Sequence, residues 1–223
     1  MSEKNNIVLI GMPGAGKSTL GIVLAKIVGY DFIDADLVIQ NQCDKTLQKL
    51  LDACGPEGFI SVENQVLSDL KAERSVIATG GSAVYSDEAM KHLSEIGHVV
   101  YLQISYDELK SRLSDLQERG VVLKNGVGMS LHELFDERKP LYEKYAEVTV
   151  NVDDLTITAA ARKVASALKT DSSLSAVSPS SSAVTLINSG NMPLGKLGKA
   201  RVRPALFLVS VPLRNLSAVA QAA

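Results

Sequence analysis

Nine residues near the N-terminus, Gly11-Met12-Pro13-Gly14-Ala15-Gly16-Lys17-Ser18-Thr19, have the types and spacing of a phosphate-binding loop, G-x-x-x-x-G-K-[ST]. Gly11, Gly14 and Gly16 let the backbone curl tightly, so that several N–H groups converge on one spot. A helix opening at Lys17 adds its positive end there. Lys17 can then reach the β- and γ-phosphates of a nucleotide such as ATP, and the Ser18 hydroxyl can hold Mg²⁺. Ala15 and Thr19 complete the nucleotide-facing stretch. A second candidate group is Asp34-Ala35-Asp36. Read as the end of a strand, its two carboxylates point to one side. One can support the metal, and the other can hold or deprotonate an attacking hydroxyl. The competing reading is an acidic helix start favoured by the helix dipole. Thr79-Gly80-Gly81-Ser82 is the third group, where a glycine pair lets a substrate approach the backbone closely.

These groups need a scaffold that brings distant segments to one edge. Residues 6–10 form an apolar run, and Leu20, Val23, Leu24 and Ile27 follow at helical spacing, with Gly29 closing the helix. Residues 30–34, 75–78, 98–104 and 147–152 read as further strands. Helical patterns fall at 37–42, from 47 to a break at Gly55-Pro56, and at 59–70, 87–96, 106–116, 130–145 and 156–168. This alternation predicts an α/β fold with a mainly parallel sheet and helices on both faces. Residues 117–129 interrupt the rhythm with a polar, glycine-bearing insert, a candidate lid that contains Arg119.

The chain of 223 residues carries a formal charge of −2, which gives no reason to expect nucleic acid or an anionic membrane as partner. No apolar run is long enough to span a bilayer, and residues 1–4 are too short and polar for a secretory leader. Cys43 and Cys54 fit no metal spacing and read as reduced thiols of a cytoplasmic protein. His92, His98 and His132 lack a second metal ligand at useful spacing and are expected to be structural or surface residues. Composition shifts after Lys169, where residues 172–182 include seven serines. Residues 170–223 carry five basic side chains against Asp171 alone, and residues 1–169 carry a net −6. The expected organisation is a domain over 1–169 and a disordered tail over 170–223.

With these motifs together, the chain from about Asn5 to Lys169 resembles the shikimate kinase family. The resemblance rests on the loop at 11–19, Asp-Ala-Asp at 34–36, Gly-Gly at 80–81 and Glu-Arg-Lys-Pro-Leu-Tyr at 137–142. It implies a three-layer α/β/α P-loop kinase with a five-stranded parallel sheet in the order 2-3-1-4-5. It also implies transfer of the ATP γ-phosphate to the 3-hydroxyl of shikimate with Mg²⁺, and the expected state is a monomer. By resemblance, Lys17 and Ser18 serve ATP and Mg²⁺, Asp34 backs the metal, and Asp36 binds the acceptor hydroxyls. Gly80 and Gly81 line the substrate, Arg138 grips its carboxylate, and Arg119 is the lid arginine.

Three positions depart from the family pattern. Between Phe59 and Glu63 the family has a second carboxylate-binding arginine, where this chain has Ile60. The lid reads Arg119-Gly120-Val121-Val122 rather than Arg-Pro-Leu-Leu, and Ser82 stands for a third glycine. The departures leave two other expectations to weigh: a related kinase acting on another hydroxy acid such as gluconate, and a nucleotide-binding regulatory protein without turnover.

Overall fold

The computed structural model describes residues 4–113 and 129–170. Arg119 and most of the 117–129 insert lie outside the described residues, as does the serine-rich tail from 171 onward.

The centre of the sheet is β1 (Asn6–Ile10), in which Ile7, Val8, Leu9 and Ile10 are all fully buried. Successive strand side chains point to opposite faces, so an unbroken buried run requires helices on both. Parallel neighbours flank it, β3 (Ser75–Ala78) on one side and β4 (Gly97–Gln103) on the other. Outside these lie β2 (Asp31–Asp34) and β5 (Val148–Asn151), giving the expected order β2-β3-β1-β4-β5. From β1 the chain goes first to the β2–β3 side and only later to β4 on the other. That reversal opens a crevice at the carboxyl ends of the strands, where open α/β sheets bind ligands.

Helix α1 (Lys17–Val28) packs against α7 (Ile157–Thr170), while α4 (Asp87–Ile96) and α6 (Leu131–Tyr145) lie against β4. A short α5 (Tyr106–Leu113) completes the main body, with its Glu108 N–H donating to the Ser105 hydroxyl as expected of a cap. Helices α2 (Ala35–Cys43) and α3 (Leu47–Ser68) form a small lobe around their own cluster of Ile39, Leu50, Phe59, Val62 and Val66. The break expected in α3 is present, because Gly55 adopts φ 67° and ψ 179°. Pro56 opens the second half, where its missing N–H would lack a helical partner anyway.

One local expectation is corrected. Strand β2 ends at Asp34, and Asp36 is the second residue of α2 rather than a strand residue. The Asp34 carboxylate accepts the Asp36 N–H at 3.0 Å and caps α2, which pulls the helix start forward from 37 to Ala35. The strand period therefore does not relate the two carboxylates. The 3-10 turn at Ala83–Tyr85 has no counterpart in the sequence reading. The histidines take structural or surface contacts: His92 with the Leu70 carbonyl, His98 with Glu147 and His132 with Asp136. No helix among the described residues is long and apolar enough to cross a membrane.

Candidate active site

Three strand ends deliver the site. The loop after β1 holds Gly11, Gly14 and Gly16 at φ 145°, 86° and 91°. At Gly11 a side chain would also meet the Leu102 carbonyl oxygen at 2.7 Å, so only glycine fits there. Gly16 is the left-handed N-cap of α1 and offers no side-chain cap, which leaves the first helical N–H groups directed out of the helix. Ser18 and Thr19 are exposed on this first turn, and Ala15 is buried beneath it.

Lys17 is 8% exposed. Its Nζ donates to the Gly11 carbonyl at 2.8 Å and the Met12 carbonyl at 3.0 Å. An ammonium has three donors, so one remains for an anion in the crevice. Burial lowers its pKa to about 8, and the neighbouring Asp36 carboxylate opposes that fall. Asp36 is half-buried, and desolvation followed by repulsion from Asp34 raises its pKa, with Lys17 pulling the other way.

After β3, the Thr79 hydroxyl donates to the Leu9 carbonyl at 3.0 Å and ties this strand end to β1. The glycine pair follows. A Cβ on Gly80 would collide with Glu63 Oε1 and lie 3.2 Å from Asp36 Oδ1. A Cβ on Gly81 would stand 2.8 Å from the Pro13 ring and 3.0 Å from Arg138 Nη1. The pair is therefore where the phosphate loop, the α2 carboxylate and the α6 guanidinium close together.

Arg138 is 1% exposed on α6. Its Nε donates to the Tyr85 hydroxyl at 3.1 Å, and its guanidinium carbon lies 5.0 Å from the Tyr85 ring centre. Tyr142, one turn later, donates to the Gly81 carbonyl at 2.8 Å and stacks on Tyr101 with centroids 5.2 Å apart. The guanidinium is thus held in place from two sides of the same strand end.

Lys17, Asp36, Gly80, Gly81 and Arg138 come together at the carboxyl ends of β1 and β3, with Asp34 beside them as the cap of α2. Glu63, which the sequence reading used only to fix helix register, joins them. It is 1% exposed and its pKa is raised to about 7 by burial. Its signal was present in the sequence: a glutamate on the stripe Phe59, Val62, Val66 is a charge where the pattern demands a core residue. Ile60 lies one turn before Glu63 on the same side of α3. It is half-buried, and it packs against neither hydrophobic cluster of the described residues.

A metal site that shares its ion with nucleotide phosphates needs only one or two protein ligands. The exposed Ser18 hydroxyl and the half-buried Asp34 carboxylate suit a hard divalent cation of that kind.

This fold and this crevice define a P-loop kinase that transfers a phosphoryl group to a small molecule. A family model described as shikimate kinase matches residues 13–169. The shikimate kinase of Vibrio parahaemolyticus is 37% identical over 170 residues, spanning 76% of this chain and 99% of the relative. That of Francisella tularensis subsp. holarctica is also 37% identical over 170 residues, spanning 75% and 97%. Among solved structures, the Acinetobacter baumannii shikimate kinase in complex with shikimate superposes with a TM-score of 0.65 at 30% identity, over 72% of this chain and 90% of that one. The chain belongs to the shikimate kinase family.

Proposed function

We propose that this chain transfers the γ-phosphoryl group of ATP to a hydroxyl of shikimate, with Mg²⁺ as the metal. The observation that carries this reading is the closure of Lys17, Asp36 and Arg138 around Gly80 and Gly81, joined to family membership. Phosphoryl transfer asks little covalent chemistry of a protein and much positioning and charge neutralisation. The loop N–H groups and Lys17 serve the phosphates. Ser18 and Asp34 would hold Mg²⁺, which when bound neutralises phosphate charge. Asp36 holds the attacking hydroxyl and takes its proton, a task its raised pKa favours. Arg138 holds the acceptor carboxylate, and Gly80 and Gly81 let the ring approach the backbone. Arg119 remains the proposed lid arginine.

A panel of hydroxy acids with ATP and Mg²⁺ tests the acceptor. Shikimate should give the highest kcat/KM, well above gluconate. No turnover with any acid would show instead a nucleotide site without phosphoryl transfer.

Ile60 sets how tightly that acceptor is held. A hydrogen bond between charged groups contributes about 1.5–3 kcal/mol, and each ~1.4 kcal/mol is tenfold in affinity. Ile60→Arg adds a second guanidinium on the Glu63 face of α3, so shikimate KM should fall by roughly one to two decades with kcat little changed. An unaltered KM in steady-state kinetics would mean that another basic residue already completes the clamp.

Residues 170–223 are proposed to lie outside the catalytic domain, since relatives matched over nearly their whole length align with only about three quarters of this chain. Shortening the chain after Lys169 should leave both the melting temperature and kcat near their full-length values. A clear drop in either would place the tail against the domain.

A further inference from the structure

Among the described residues, Glu63 is the one buried charge near Gly80 that the proposed chemistry leaves unused. Neither of its carboxylate oxygens makes a well-formed hydrogen bond among the described residues, and the buried Ser82 hydroxyl is the one side-chain donor that assists it. It is held in place by its position on α3 between Val62 and Val66, both packed in the small lobe. Its Oε1 fills the space that a side chain on Gly80 would need, and the Asp36 carboxylate borders the same space. An ionised carboxylate so buried and so sparsely hydrogen-bonded is costly, and the neutral acid costs less.

The surrounding charges do not remove the problem. From α2, Asp36 opposes ionisation. From α6, Arg138 favours it, but that guanidinium is engaged by Tyr85 of the 3-10 turn. From α1, Lys17 also favours it, though its Nζ donates to the Gly11 and Met12 carbonyls. The buried Ser82 hydroxyl offsets part of the burial cost. From α4, the acidic Glu88 is taken by the Asn64 amide at the surface. Burial outweighs these, and the carboxyl titrates near neutrality, at about 7.

We propose that Glu63 binds the acceptor as a neutral carboxylic acid, donating its proton to an acceptor oxygen at Gly80, so that acceptor binding takes up one proton. This rests on the shikimate reading above. The acceptor carries its own carboxylate, and an ionised Glu63 beside Asp36 would repel it. The protonated side chain supplies a donor that Ile60 cannot. Glu63 is thus a specificity-determining residue for an anionic hydroxy acid.

Titration calorimetry of shikimate with the full chain, run at about pH 8 in two buffers of different ionisation enthalpy, reads the proton directly. The wild type should take up close to one proton per shikimate bound. Its Kd should be level below about pH 7 and rise about tenfold per pH unit above it. Glu63→Gln is a permanent neutral donor of the same shape. It should take up about one proton fewer than the wild type, and the rise of Kd through neutral pH should disappear. Ile60→Arg, which offers Glu63 a guanidinium, should also remove that proton. Wild-type binding without proton uptake overturns the proposal and leaves the acceptor reading standing. So does a Glu63→Gln variant that loses affinity at every pH as severely as Glu63→Ala. Absence of shikimate binding at any pH, together with absence of its phosphorylation, overturns both.

Discussion

Lys17→Ala should abolish phosphoryl transfer while the protein stays folded. The side chain sits at the head of α1, buried, with two of its three donors on loop carbonyls and Asp36 beside it. Burying an ammonium is costly, and the depression of its pKa to about 8 measures that cost in this crevice. A chain retains such a charge where an anion completes it. Removing one preorganised donor aimed at developing charge typically costs about 10²–10³ in kcat, and loss of a full positive charge at the phosphates should cost at least that. Stability should change far less, since the burial penalty disappears together with the two hydrogen bonds. Lys17→Met keeps the volume and should behave alike. Stopped assays of ADP release, paired with thermal melting, decide the matter. A folded variant with near-native turnover would remove Lys17 from the chemistry.

Asp36→Asn should produce the second large loss. The amide keeps the shape and can still hydrogen-bond the acceptor hydroxyl, but it cannot take a proton. General-base assistance contributes about 10²–10⁴-fold, so kcat should fall by that order while shikimate KM moves little. The stability effect has the opposite sign. The folded pKa of Asp36 is raised above its ordinary 3.8. Its ionised form therefore costs stability once pH rises through that folded value, and the amide removes the cost. At neutral pH the variant should melt at or above the wild-type temperature. Low activity with equal or greater stability would separate a chemical role from a structural one. Unchanged kcat would assign proton removal elsewhere.

The legible parts of the molecule were those where one physical signal dominates. The apolar run 6–10 followed by a glycine loop and a helical stripe can only be a buried strand feeding a helix, and the structure has it so. Gly55-Pro56 forces a break wherever it falls, and α3 breaks there. Alternation placed all five strands, while their order came from resemblance. The errors arose where two signals compete. Asp34-Ala35-Asp36 satisfies both a strand period and a capped helix start. The Asp34 side chain settled it by taking the Asp36 N–H, which a propensity for either state does not encode. The burial of Glu63 was legible from the apolar stripe it interrupts, but its neighbours were not, because Gly80 and Asp36 are distant from it in sequence. The same applies to Tyr85 and Tyr142, whose partners Arg138 and Gly81 lie across the fold.

The most direct test of the account is phosphorus NMR of the full-length protein with ATP, Mg²⁺ and shikimate. A new phosphomonoester resonance should appear, coupled to the proton on the carbon bearing the 3-hydroxyl, and should grow in step with ADP. It should be absent with Lys17→Ala. Release of inorganic phosphate alone, or a phosphoester formed from gluconate but not from shikimate, would contradict the account.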